Sequence, residues 1–204
     1  MQSKNKKKQG KLLNNRYILI KVIRLRGKGG VYLALDTKKM GIPKVILKEG
    51  RFQGETEPSG VTAIERLKWQ ESATKCLKNY QPKVLDSFTE NQNYFLVYEY
   101  LDAVSIKDYI QKNRFSKEET LEIILKISEI VEEIHSQGYV LRDLSPDNVL
   151  FSSNKEIYII DLEYSFKDSC VDNLPYFPAG TPGFCPPEKF GINVSYQPSF
   201  RDDC

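Results

Sequence analysis

Three side chains between residues 143 and 161 have the types and spacing to work on a phosphate ester. Asp143 is followed at Asn148 by a carboxamide. A strand–turn–strand pattern comes next, Val149–Phe151 and Ile157–Ile160, with Ser-Ser-Asn-Lys-Glu between. The second strand delivers Asp161 at its end. Two carboxylates and a carboxamide held by a short hairpin can grip Mg²⁺ on a nucleotide while one carboxylate orients a hydroxyl. The competing reading is that these residues only cap the hairpin, since Asp, Asn, Ser and Pro favour turns.

Other elements must bring the remaining chemistry to those residues. Tyr17–Ile20 and Val22-Ile23, the turn Gly27-Lys28-Gly29-Gly30, and Val31–Leu35 predict a hairpin whose backbone can approach phosphate oxygens closely. Lys44–Lys48 alternates as a strand and follows the turn Gly41-Ile42-Pro43. A helix is predicted over roughly 61–78 from the spacing of Ile64, Leu67 and Leu77. Val84–Thr89 and Tyr94–Tyr100 read as two strands across Glu90–Asn93. Ser105–Lys112 reads as a short helix. Ser116-Lys117-Glu118-Glu119 is a capping box opening a long helix to Ser136, and Gly138 ends it. The apolar face expected for that helix is Leu121, Ile124, Leu125, Ser128, Val131 and His135.

These residues resemble the protein kinase pattern. The catalytic loop H-R-D-L-x-x-x-N stands here as Leu141-Arg142-Asp143-Leu144-Ser145-Pro146-Asp147-Asn148, and D-F-G as Asp161-Leu162-Glu163. Val45-Ile46-Leu47-Lys48 is similar to the V-A-I-K strand, and Phe95–Leu101 to the strand that runs into the hinge. Gly180–Glu188 resembles the segment ending in A-P-E, which supports a peptide substrate. The resemblance implies an α+β, two-lobed kinase-like fold: a basic disordered tail over 1–15, an antiparallel-sheet N-lobe with hinge over 16–101, and a partial helical C-lobe over 102–204. It implies ATP and Mg²⁺ as cofactors and a protein or peptide as phosphate acceptor. Asp143 then accepts the acceptor's hydroxyl proton, Asn148 and Asp161 hold metal, and Lys48 meets the α/β-phosphates. The backbone of Glu99–Leu101 meets adenine, with Tyr98 behind it. If Val31 is the valine of G-x-G-x-x-G-x-V, only Gly29 falls on a glycine position, while Arg24 and Arg26 fall on the other two. Phosphate binding is then expected by a variant geometry using Gly27, Gly29 and Gly30. For the helix acid that pairs with Lys48, Gln70 stands at the usual place and Glu71 about 100° around the helix; Glu71 is slightly favoured.

Within that family the likeness is to the kinase domain of class III and IV lanthipeptide synthetases. Four features carry it: Gly29-Gly30-Val31-Tyr32, Lys48-Glu49-Gly50-Arg51, Asp143-Leu144-Ser145-Pro146 with Asn148, and Ile160-Asp161-Leu162-Glu163. A generic bacterial Ser/Thr kinase is the neighbouring reading. A nucleotide-binding pseudokinase or regulatory fragment is the alternative, given Leu141 in place of His and the altered glycine loop. Arg201-Asp202-Asp203-Cys204 looks like the start of the helix that anchors the C-lobe, so the lobe is expected to be truncated and the chain to be marginally stable, covered by a partner chain, or a fragment.

Composition excludes several other classes. The chain has 204 residues, 40% of them hydrophobic, with 12 Tyr and 10 Phe, which fits one globular domain or two small lobes. The net charge is +3, but Lys4, Lys6, Lys7, Lys8 and Lys11 contribute five positive charges, so the body carries −2 and has no nucleic-acid-binding balance. No apolar run is long enough for a membrane span. Cys76, Cys170, Cys185 and Cys204 are dispersed without C-x-x-C spacing, so a reducing, cytoplasmic setting is expected. His135 is the single histidine, which leaves little room for Ser-His-Asp machinery or zinc, and it is expected to be structural.

Overall fold

β1 (Tyr17–Arg26) and β2 (Gly29–Asp36) pair antiparallel, turning at Gly27-Lys28. They open a five-stranded sheet with β3 (Lys44–Gly50), β4 (Val84–Glu90) and β5 (Asn93–Glu99), in the order β1-β2-β3-β5-β4. The computed structural model describes residues 12–77, 79–168, 170, 173–174, 180–185 and 198–203. The uninterrupted apolar run of β5 has a simple cause: the strand is covered on both faces. Phe95 and Val97 join Tyr17, Ala34, Val45 and Leu47 on one side. Tyr94, Leu96 and Tyr98 pack with Leu67 on the other, where α1 (Ala63–Cys76) lies. Thr62 caps α1 through a capping box with Glu65.

Between the sheet and the second lobe run β6 (Ala103–Ser105) and α2 (Ile106–Lys112). The second lobe is built on α3 (Lys117–Ser136), with the short strands β7 (Tyr139–Val140), β8 (Val149–Ser152), β9 (Ile157–Ile159) and β10 (Phe166–Lys167). β8 and β9 form the expected hairpin, and β6 adds to its edge. Its core joins Ile123, Ile130 and Ile134 of α3 to Leu141, Val149, Ile159 and Leu162. No helix of the described residues is long and apolar enough to cross a membrane.

Two expectations need correction. Of the tail placed over 1–15, residues 1–11 lie outside the described residues, while 12–15 are ordered. Leu13 bridges Tyr17 and packs on the sheet core, and Asn14 and Asn15 turn the chain with positive φ. The buried face of α3 is also rotated from the one predicted. Ile123, Ile130, Val131 and Ile134 are buried, whereas Leu121, Ile124 and Leu125 are more than half exposed. Apolar residues occupy more than one face of this helix, so spacing alone did not select the face that meets the β8–β9 hairpin.

Arg16 ties the sheet together at one end. Its Nε and Nη2 donate to the two oxygens of buried Asp36, each at 2.7 Å, and its Nη1 donates to Asp86 at 2.9 Å. The hydrogen bonds from Arg16 hold the Asp36 carboxyl below the usual range despite burial. Asp36→Asn is expected to cost about 2 kcal/mol, the scale for charge-assisted bonds. A depressed folded pKa contributes stability that is complete above about pH 4 and is lost as pH falls through the folded value. Thermal melts of wild type and variant should therefore differ at pH 7 and converge in acid.

Candidate active site

The loop between β7 and β8 carries Asp143 and Asn148. Its backbone is fixed from below by Asp203, which accepts from Leu141 N at 2.7 Å and from Arg142 N at 2.6 Å. Nε2 of His135 lies 2.9 Å from the same carboxylate, so the single histidine is structural, as expected. Leu141, in the position of the usual His, is buried in the core of the second lobe. Arg142 takes a left-handed φ of 69° and donates from Nη1 to the carbonyl of Tyr164 at 3.0 Å.

Asp143 and Asn148 meet directly. Asn148 Nδ2 donates to the Asp143 carbonyl at 2.9 Å and to its Oδ2 at 3.0 Å. With its amide nitrogen used this way, buried Asn148 is left with Oδ1 as its remaining polar side-chain atom. Thr181 donates to Asp143 Oδ1 from both N and Oγ1, at 2.8 Å each. The β8–β9 hairpin then returns the chain to the same place, with Ile160 N donating to the Asn148 carbonyl at 2.8 Å. Asp161 follows, with a left-handed φ of 67°. Asp161 and Asn148 suit Mg²⁺, which takes one or two protein carboxylate or carbonyl oxygens and completes its shell with phosphate and water.

Lys48 projects from β3, flanked by β2 and β5, with Val31 and Leu96 as its register partners. Its ammonium is bonded to Asp161 Oδ1, to Gln70 Oε1 at 2.6 Å and to Glu163 Oε2 at 3.3 Å. Burial opposes the charge, but the two carboxylates outweigh it and hold the Lys48 pKa above its ordinary value. Burial likewise opposes the charge on Asp161, and Lys48, Arg24 and Arg26 keep its carboxyl below the usual range.

The structure corrects the choice of helix residue. Gln70 faces Lys48, and its Nε2 donates to Tyr98 OH at 2.9 Å, which fixes the orientation of the amide. Glu71 points away and accepts from Tyr94 OH, from Ser87 Oγ at 2.9 Å and from Lys75 Nζ at 2.6 Å. One residue along a helix is about 100°, so the two side chains cannot share a direction. Sequence reasoning passed over Glu163, which occupies the third place of Asp161-Leu162-Glu163. Its signal was an acid where the family pattern has glycine.

Two adjoining cavities meet at Lys48. One, of about 360 Å³, is lined by Val31, Ile46, Tyr98, Glu99, Leu101 and Leu150, with Lys48 and Asp161 at its inner end. Burial pushes the Tyr98 phenol up to about 12, so it stands there as a neutral hydroxyl. The Leu101 N–H has no partner among the described residues. The second cavity, about 200 Å³, is lined by Arg24, Arg26, Gly29, Gly30, Val31 and Glu163 around the same Lys48 and Asp161. Gly29 and Gly30 thus border the cleft, but packing also demands glycine at 29: a Cβ there would lie 1.8 Å from the Glu49 carbonyl oxygen. Gly27 is not among the residues lining either cavity; its carbonyl accepts from Glu55 N at 3.3 Å. The cations that face Asp161 from the hairpin are Arg24 and Arg26, at the two positions where the family pattern has glycine. Of Gly180–Glu188, residues 186–188 lie outside the described residues.

Known proteins resemble this chain in sequence. The family model described as protein kinase domain matches residues 27–199. Serine/threonine-protein kinase B of Synechocystis sp. is 27% identical over 198 residues, covering 90% of this chain and 34% of that protein. A probable SapB synthase of Streptomyces coelicolor is 29% identical over 182 residues, covering 81% of this chain and 19% of that protein. The probable serine/threonine-protein kinase PknB of Lactococcus lactis is 31% identical over 157 residues, 74% of this chain and 24% of that protein. The chain thus spans about a fifth to a third of the length of these relatives. With its two lobes, its Lys48–Asp161 pair and its Asp143–Asn148 loop, the chain belongs to the protein kinase family.

Proposed function

We propose that this chain is a Mg²⁺- and ATP-dependent kinase that transfers the γ-phosphate to a Ser or Thr hydroxyl of a protein or peptide. The single observation that carries the reading is that the bonded pair Lys48 and Asp161 lines both an apolar cavity and a second one bordered by Arg24 and Arg26. The apolar cavity suits adenine, with the Leu101 N–H as donor and the Glu99 backbone beside it. The cationic cavity suits the phosphates, with Lys48, Arg24 and Arg26 supplying charge. Asn148 Oδ1 and Asp161 would hold Mg²⁺, which supplies charge neutralisation on the phosphates. Asp143, fixed by Asn148 and Thr181, orients the acceptor hydroxyl and takes its proton as the new O–P bond forms and the bond between the γ-phosphorus and the bridging oxygen breaks, releasing ADP. The Thr181 bonds to Asp143 support a peptide acceptor, because they join the substrate-facing segment to the catalytic carboxylate.

The substrate is proposed to be a peptide of the lanthipeptide-precursor type. The support is the sequence's resemblance to lanthipeptide synthetases, together with the similarity to a probable SapB synthase. A cytoplasmic setting follows from that substrate. The exposed stripe Leu121, Ile124 and Leu125 supports a further protein surface covering α3. Neutral Gln70 beside Lys48 favours one second reading, a domain that binds nucleotide without transferring phosphate.

Phosphoryl transfer from Mg·ATP, measured with direct binding of Mg·ATP, separates the two readings. Asp143→Asn is expected to lower transfer by about 100-fold or more, the scale for a lost general base, with binding retained. Wild-type protein that binds Mg·ATP but transfers to no peptide selects the second reading. Replacing Arg26 by Ser is expected to weaken ATP binding by about tenfold while leaving adenosine binding unchanged, since Arg26 lines the second cavity and not the apolar one. Glu71→Gln is expected to lower the melting temperature by a few degrees and to change the Kd for Mg·ATP by less than about twofold, because its partners lie outside the cleft.

A further inference from the structure

We propose that Glu163 has taken over from helix α1 the work of positioning Lys48 for the nucleotide, with Gln70 as its neutral companion. The inference rests on the kinase reading above and deepens it. An ammonium that must meet phosphate oxygens needs a carboxylate to hold its direction. Helix α1 offers none: Gln70 is uncharged, and Glu71 is turned toward Tyr94, Ser87 and Lys75. The two carboxylates that reach Lys48 are Asp161 and Glu163. Asp161 is the residue that fits a metal ion. Once it serves one, Glu163 is the carboxylate left to Lys48 among the described residues.

The placement of Glu163 suits a positioning role. Its side chain is 19% exposed and that of Lys48 18%, so the pair is shielded without being sealed. Glu163 sits in the short 3₁₀ turn Leu162–Tyr164, pinned on both sides. Leu162 is buried in the core of the second lobe. The Tyr164 carbonyl accepts from Arg142 Nη1, and its hydroxyl accepts from Lys28 Nζ at 2.6 Å. Trp69 Nε1 donates to the Ser165 carbonyl at 2.8 Å. Gln70 then holds Lys48 from the opposite side while donating to Tyr98 OH. The Lys48 ion pairs are therefore carried by the segment that holds Asp161, while helix α1 contributes one neutral hydrogen bond to Lys48 and braces that segment through Trp69.

The test is a charge swap: Glu163→Gln, Gln70→Glu, and the double variant. Each is assayed for kcat, KM for ATP, Mg·ADP binding by calorimetry, and melting temperature. Glu163→Gln is expected to lower kcat/KM for ATP by about 10- to 100-fold, the scale for one bond to a charged group, with the melting temperature near wild type. Adding Gln70→Glu is expected to restore kcat/KM to within about fivefold of wild type, because the helix again supplies the acid. Glu163→Gln with wild-type kinetics overturns the inference, as does a double variant no better than Glu163→Gln. If Glu163→Gln does not fold, Glu163→Asp takes its place. That variant retracts the carboxylate by one methylene, and no kinetic loss, or a loss that Gln70→Glu does not repair, overturns the inference equally. Wild-type protein that binds no Mg·ADP and transfers no phosphate defeats the kinase reading itself. Transfer by wild type with a silent Glu163→Gln defeats this inference alone.

Discussion

Inside the cleft, the Lys48 ammonium joins the sheet to the second lobe. Lys48 leaves the sheet at β3 and is bonded to Asp161 and Glu163, both carried by the second lobe. Charges withdrawn from water are costly unless the partners are close and the remaining lone pairs are used. That condition constrains everything around them. β3 must lie between β2 and β5 so that Val45 and Leu47 anchor its other face. Gly29 must let β2 approach the β3 backbone, since a Cβ there would collide with the Glu49 carbonyl. The β8–β9 hairpin must end two residues before Asp161. If any of these shifts, the cation and its acids separate.

A second charged network, built from the hairpin tip, locks the same arrangement. Glu57, buried in the loop before α1, accepts from Arg66 Nη2 at 2.6 Å and from Lys28 Nζ at 2.7 Å. Lys28 also reaches Tyr164 OH, so the tip of the β1–β2 hairpin is tied both to α1 and to the turn after Asp161. Arg66 and Glu57 are almost wholly buried. Buried ion pairs add little net stability, but removing one partner strands the other, so such a network enforces one geometry over its alternatives. The outcome is that Arg24 and Arg26 are held on the Asp161 side of the cleft by strand register, opposite Val31 and Gly29.

Much of this was legible in the sequence because the signals were local. The β1–β2 and β8–β9 hairpins, the capping box at Ser116 and the Asp143–Asn148 spacing each follow from a few neighbouring residues. What was not legible depended on rotation about a helix axis. The buried positions of α1 include Arg66, Gln70, Glu71 and Thr74, so hydrophobicity does not mark its inner face, and the choice between Gln70 and Glu71 needed the position of Lys48. In α3 the ambiguity was the reverse: leucines and isoleucines point several ways, and tertiary contact chose among them. Glu163 could be seen as a departure from the family pattern, but its partner lies 115 residues away in the chain.

The backbone supplies the last constraint. Arg142 and Asp161 both take left-handed φ values, which an Asp tolerates and an Arg rarely adopts, and they lie beside Asp143 and Lys48. Such conformations persist only where surroundings over-determine them. Arg142 is fixed by the bond from its N–H to Asp203 and by its guanidinium on the Tyr164 carbonyl. Asp161 is fixed by Lys48 and by the Ile160–Asn148 bond just before it. The two left-handed residues therefore share a support, because Tyr164 lies three residues after Asp161. Asp143 and Asp161 are consequently not positioned independently. Loosening the turn at Leu162–Tyr164 relaxes the loop that carries Asp143 as well as the segment that carries Asp161.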